Sequence, residues 1–168
     1  MKPAKKLAKA VRPIPEGYHT ATTRLTVRGA DRAIEFYKKA FGAELIERMD
    51  GPDGRSVVHS CLRIGDSRIF LSDEMPEMGT RSPEALGGAT SSIYLYVRDA
   101  DEAFRRAVDA GGKVVRPVMD AFWGDRCGTI ADPFGYQWDL ATRVEDVPPE
   151  EMKKRAEEFF RGGWPHSS

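Results

Sequence analysis

The residues best suited to proton transfer are few and widely spaced. His59 stands in Val57-Val58-His59-Ser60-Cys61-Leu62-Arg63-Ile64. Strand alternation there puts His59, Cys61 and Arg63 on one face and Leu62 and Ile64 on the other. With an ordinary pKa of about 6.5, an imidazole in a cavity can serve as a general base at neutral pH. A strand histidine is more often a hydrogen-bonded structural group, and both readings stand. His19 precedes the first expected strand and His166 lies near the end of the chain, so the three histidines form no ligand cluster. Cys61 and Cys127 have no C-x-x-C spacing, which argues against structural zinc and a disulfide framework. The other polar and aromatic residues on the same strand faces are Thr22, Arg24, Phe70, Ser92, Tyr94, Tyr96 and Asp139, with Trp123 and Arg126 approaching the last hairpin. Rings at Tyr94, Tyr96 and Trp123 suit stacking, and Arg24 or Arg126 suits a carboxylate, so the set fits an aromatic or anionic small molecule. Two bland alternatives remain: Asp125 and Arg126 locking a hairpin, and the aromatic side chains simply filling a cavity.

The elements that must position these residues come in two copies. Residues 25–43 and 95–113 align without a gap, and eight of the nineteen positions are identical: Leu25/Leu95, Val27/Val97, Arg28/Arg98, Ala30/Ala100, Asp31/Asp101, Ala33/Ala103, Ala40/Ala110 and Gly42/Gly112. Each copy opens with an alternating strand and passes through Arg-x-Ala-Asp into an amphipathic helix that ends at glycine. Asp31 and Asp101 are the expected helix caps. Three strands follow each helix, over 44–48, 57–64 and 68–72 and over 113–117, 126–131 and 137–141. Gly-Pro-Asp-Gly, Gly-Asp-Ser and Asp-Pro-Phe-Gly supply turns. The chain therefore divides into a basic arm (1–17), a module at about 18–74, a linker (75–90), a second module at about 91–144, and a C-terminal helix and tail (145–168). The expected class is α+β: two tandem βαβββ modules forming a curved mixed sheet around a concave cavity, with a helix appended.

Charge narrows the functional classes. Lysine plus arginine (26) balance aspartate plus glutamate (26). Lys2, Lys5, Lys6, Lys9 and Arg12 concentrate positive charge in the arm and leave the body acidic, which disfavours nucleic acid as a partner. No apolar run approaches the roughly 18 residues of a membrane span, and Val11-Arg12-Pro13 stands where a signal peptide would have its apolar core. The expectation is a soluble, cytoplasmic protein.

The strings RLTVRGADRAIEFYKKAFGAE, LRIGDSRIFLSDE and FWGDRCGTIADPFGYQWDL resemble the vicinal oxygen chelate superfamily, which includes glyoxalase I, bleomycin-resistance proteins and extradiol dioxygenases, and its PhnB-like branch in particular. The resemblance covers roughly residues 18–160. It implies paired modules around a ligand cavity and a homodimer. It also implies four metal-ligand positions, which fall on Thr22, Phe70, Ser92 and Asp139. Only Asp139 is a good ligand, so the expectation is no metal and no cofactor. The expected function is metal-independent binding of a small molecule between the modules. The alternative is a lyase or isomerase in which His59 or Asp139 moves a proton, with a metal-dependent enzyme less favoured.

Overall fold

The computed structural model describes residues 11–162; the first ten residues of the basic arm and the tail with His166 lie outside them. Both copies fold as strand, helix and three strands. The first comprises β1 (Thr23–Val27), α1 (Ala30–Phe41), β2 (Glu44–Asp50), β3 (Val57–Ile64) and β4 (Ser67–Asp73). The second comprises β5 (Ser92–Tyr96), α3 (Ala100–Asp109), β6 (Lys113–Asp120), β7 (Asp125–Ala131) and β8 (Gln137–Arg143). Between them lie a 3-10 turn at Pro76–Met78 and the short α2 (Pro83–Leu86), and α4 (Pro149–Arg161) follows the second copy. The expected curved sheet is realised as two four-stranded mixed sheets, ordered β1-β4-β3-β2 and β5-β8-β7-β6. In each, the first strand runs parallel to the last, and their registers match: Arg24 lies beside Phe70 and Tyr94 beside Asp139. Repeat alignment therefore carries over into three dimensions.

Amphipathic spacing explains the core. Ala33, Ile34, Tyr37, Ala40 and Phe41 are buried on α1, and Ala100, Ala103 and Ala107 on α3. Small alanines let the two helices approach, and Arg106 Nε on α3 donates to the Ala40 carbonyl at 2.9 Å. Leu25, Val27, Leu62, Ile69 and Leu71 of the first sheet join Ile130, Trp138 and Leu140 of the second in one core around these helices. Each large apolar side chain removed from water contributes about 1.5–3 kcal/mol. Gly128 is required where β7 passes under α3, because a Cβ there would meet the Phe104 ring at 2.8 Å.

The helix caps differ from expectation. Gly29 and Ala30 donate their backbone N–H groups to Asp73 Oδ1 at 2.9 Å each, so α1 is capped by a carboxylate at the end of β4. Asp99, not Asp101, caps α3 by accepting from the Glu102 N–H at 2.9 Å. Asp31 and Asp101 instead bind Arg48 and Arg126. A cap needs an extended residue just outside the helix, whereas these two already lie in the first turn.

One carboxylate joins the modules. Asp132 Oδ1 accepts from the N–H groups of Phe134 and Tyr136 at 2.8 and 2.9 Å, which shapes the Asp-Pro-Phe-Gly turn. Its Oδ2 accepts from the Tyr37 hydroxyl of α1 at 2.8 Å and from Trp138 Nε1 at 2.9 Å. Burial, reinforced by Asp132, holds the Tyr37 hydroxyl well above the ordinary phenol range. Tyr136 adds a second tie, since its hydroxyl donates to the Thr26 carbonyl and accepts from the Thr26 N–H on β1. The connector is fastened as well: Glu74 accepts from Arg28 Nε at 2.5 Å and from the Ser82 N–H at 2.8 Å. These bonds hold its carboxyl at about 2.

Two outcomes follow. Asp132→Asn must present an amide N–H₂ to groups that are themselves donors. It should cost about 3 kcal/mol in urea unfolding, against about 1–2 kcal/mol for Tyr37→Phe, with the m-value unchanged in both. Glu74 titrates at about 2 when folded and near 4.3 when unfolded. Its contribution is therefore complete above the unfolded value, declines as pH falls below it, and is gone once pH passes through the folded value. The gap in thermal midpoint between the wild type and Glu74→Gln should be widest near pH 7 and shrink steadily toward pH 2.5.

Candidate functional site

With one face of each sheet committed to the core, alternation turns the other face open. Strand pairing lays equivalent rows across the two open faces. In the first module the row runs Glu47, Cys61, Phe70, Arg24; in the second it runs Arg116, Thr129, Asp139, Tyr94.

The first face carries a hollow of about 700 Å³, lined by Tyr18, Thr22, Glu47, His59, Arg68 and Phe70, with Pro13–Glu16 along its rim. Phe70 forms its apolar floor. The His59 ring packs at 5.0 Å from it and the Tyr18 ring at 5.7 Å. The Tyr18 hydroxyl lies 3.3 Å from Cys61 Sγ, and the Arg68 guanidinium sits 4.5 Å above the Tyr18 ring centroid. That hydroxyl is held above the ordinary phenol range, chiefly by its bond to Cys61. The arm residues just before β1 thus form one wall. Arg24 is exposed on the same face, at the edge strand.

The second face is built around two carboxylates. Asp139 Oδ1 accepts from Thr129 Oγ1 at 2.5 Å and from the Arg116 guanidinium at 3.1 Å. Asp125 is 1% exposed, and its Oδ2 receives three donors: the Tyr94 hydroxyl at 2.9 Å, the Tyr96 hydroxyl at 3.0 Å and Trp123 Nε1 at 3.1 Å. Its Oδ1 is buried without a hydrogen bond, 3.8 Å from the Arg143 guanidinium. The Tyr94 and Tyr96 rings lie 5.3 Å apart and remain substantially exposed. Burial is the main reason the Tyr94 hydroxyl is raised above its ordinary range, and burial likewise raises the Cys127 thiol. A thiol so shifted is less available as thiolate at neutral pH. Ser92 is exposed where β5 begins, beside Gln137.

The structure brings Thr22, His59 and Phe70 together on the first face, and Tyr94, Tyr96, Trp123 and Asp139 on the second. It separates Arg126 from both. Arg126 points to the α3 side of its sheet, where Asp101 accepts at 2.6 and 2.7 Å and Asp120 at 3.0 Å. Consecutive strand residues face opposite ways, so Asp125 and Arg126 do not pair with each other. Sequence reasoning missed Asp125 as the anchor of the tyrosines, a role that period-two alternation from Cys127 could have indicated. It also missed Tyr18, Glu47 and Arg116. The register shift on either side of Arg116 breaks the alternation that would have identified it.

The four positions to which the resemblance assigns metal ligands are Thr22, Phe70, Ser92 and Asp139. Two offer hydroxyls, one an aromatic ring, and Asp139 is engaged by Thr129 and Arg116. Among the described residues no group of three or more His, Cys, Asp or Glu side chains is arranged to hold an ion.

Comparison with known proteins agrees with this architecture. Over 132 residues the chain is 44% identical to the uncharacterized protein Rv0887c of Mycobacterium tuberculosis, covering 77% of each chain. It is 30% identical over 116 residues to a lactoylglutathione lyase of Neisseria meningitidis serogroup A, covering 68% of this chain and 83% of that one. The X-ray structure of the Arabidopsis thaliana At5g48480 gene product superposes with a TM-score of 0.59 at 29% identity, covering 74% of this chain and 98% of that one. Residues 19–140 match a single family description, and the chain belongs to the Glyoxalase/Bleomycin resistance protein/Dioxygenase superfamily.

Proposed function

We propose that this protein is a metal-independent binder of a small aromatic or anionic molecule, acting as a cytoplasmic homodimer. The observation that carries the reading is the hollow of about 700 Å³ on the first sheet. Its volume lies within the range of small-molecule sites, and it pairs an apolar floor with a few convergent polar groups. Phe70 and Tyr18 offer ring faces, while Arg68 and the nearby Arg24 offer positive charge to a carboxylate. The Tyr94–Tyr96 pair, held by Asp125, is a second aromatic surface of the same protein. Membership of a superfamily of small-molecule binders and enzymes supports the class of ligand and the dimer. No helix among the described residues is long and apolar enough to cross a membrane.

The similarity to a lactoylglutathione lyase favours a second reading, a lyase or isomerase. In it His59, on the wall of the hollow, takes a proton from carbon next to a carbonyl that Arg24 or Arg68 polarises. Asp139 is the weaker candidate for that step, because its carboxylate is paired with the Arg116 guanidinium and accepts two hydrogen bonds at Oδ1.

Calorimetric titration with a panel of aryl carboxylates separates the readings. Phe70→Ala and Arg68→Ala should each weaken binding about tenfold or more, a loss of at least 1.4 kcal/mol, whereas His59→Gln should bind nearly as well as the wild type. Unchanged affinity in both of the first two variants would remove the first hollow as the site. Turnover of a bound carbonyl compound that His59→Gln abolishes would establish the enzyme instead.

A further inference from the structure

The second module holds an equivalent of the open hollow, and the chain's own last helix closes it. Met49 and His59 are paired on the first face as Met119 and Cys127 are on the second. Glu47 and His59 line the open hollow, while Arg116 and Cys127, at the matching positions, line a pocket of only about 20 Å³. The difference lies in what covers it. Phe159 of α4 joins Met119, Phe122 and Trp123 around that pocket. Its ring packs 5.3 Å from Phe122, which in turn stands edge-on to Trp123 at 4.9 Å.

The helix is attached in a way that permits release. None of its residues is buried. Arg155 ties it to Glu145, just ahead of the helix, through an exposed ion pair at 2.7 Å, and pairs within the helix with Glu151 at 2.9 Å. Exposed pairs of this kind hold weakly and are screened by salt. Its N-terminal lead is the segment 145–148, where Pro148 is extended and Pro149 begins the helix. The chain just before that segment is fixed by backbone: the Gly124 carbonyl accepts from the N–H groups of Val144 and Glu145 at 3.0 Å each. Gly124 has φ +93°, and a Cβ there would meet the Glu145 carbonyl oxygen at 2.3 Å. A firm strand end, a proline lead and a helix with no buried residue make a lid.

We propose that α4 closes a second ligand site over the second sheet, one that takes an uncharged, apolar aromatic group in the space the Phe159 ring now fills. Arg116 is already neutralised by Asp139, so the site carries no spare positive charge for an acid. Its ligand class is therefore distinct from that of the first hollow. Displacement of Phe159 swings α4 about residues 145–148 and uncovers Cys127, which the bound ligand then covers in place of the ring.

The test uses the full chain with the neutral dye 1-N-phenylnaphthylamine as ligand. Labelling of each cysteine by iodoacetamide is followed by peptide mass spectrometry, with Cys61 as the internal control. Phe159→Ala should tighten dye binding about tenfold and speed Cys127 labelling about as much while Cys61 is unaffected, and added dye should then protect Cys127. Arg155→Ala should give a smaller effect in the same direction. Phe159→Trp, which keeps the lid and enlarges its plug, should abolish dye uptake. Parallel acceleration of Cys61 and Cys127 would indicate general loosening and overturn the lid. Dye affinity indifferent to the residue at position 159 would overturn the site. Phe70→Ala should leave dye uptake intact; if it removes the uptake, the dye occupies the first hollow and the second site is refuted.

Discussion

Asp132 is the interaction on which the arrangement of both open faces depends. A carboxylate has room for about four acceptor bonds, and all four are used here: two shape the turn between β7 and β8, one holds Trp138 on β8, and one takes the Tyr37 hydroxyl from the other module. Burying an ionised group without partners would be costly, so the turn, the indole and the helix must meet in one geometry or not at all. The Asp-Pro-Phe-Gly string is therefore more than a turn signal. It fixes where α1 sits against the second sheet, and so which strand faces remain open.

Much of this was legible in the sequence, because it depends on local periodicity. The offset of 70 between the copies predicted equivalent first strands and helices, and the last strands, matched at an offset of 69, pair in equivalent register, Arg24 with Phe70 and Tyr94 with Asp139. Period-two alternation correctly put His59, Phe70, Tyr94 and Asp139 on open faces. That reasoning needs no knowledge of what lies across the chain.

What sequence could not supply was the identity of distant partners. Asp73 caps α1 from the far end of β4, some forty residues away, whereas Asp31, next to the helix start, is drawn to Arg48. Arg126 looked like a ligand-binding cation because tryptophan, glycine and aspartate precede it, yet the helix side of the sheet offers it Asp101 and Asp120. A guanidinium with two carboxylates at hand is already satisfied. Arg116 shows the converse failure, since shifts in the β6 register move it onto the open face in a way no regular pattern predicts.

The two rows show how a duplicated scaffold can diverge without losing its fold. Glu47 and Arg116 occupy one position with opposite charge, Phe70 and Asp139 another with opposite polarity, and Arg24 and Tyr94 a third. A metal shared by such rows would need converging donors at the first and last strands of each module. Here the first module has spent its last-strand position on a ring that Tyr18 and His59 pack against, and the second has spent its own on an acid neutralised by Arg116. Each choice stabilises its own face, and each removes a donor. The residues at these positions make an aromatic hollow walled by Arg68 on one side and a tyrosine platform over a buried carboxylate on the other. One duplicated scaffold thus carries two open faces of different chemistry, set by side chains that the shared core does not use.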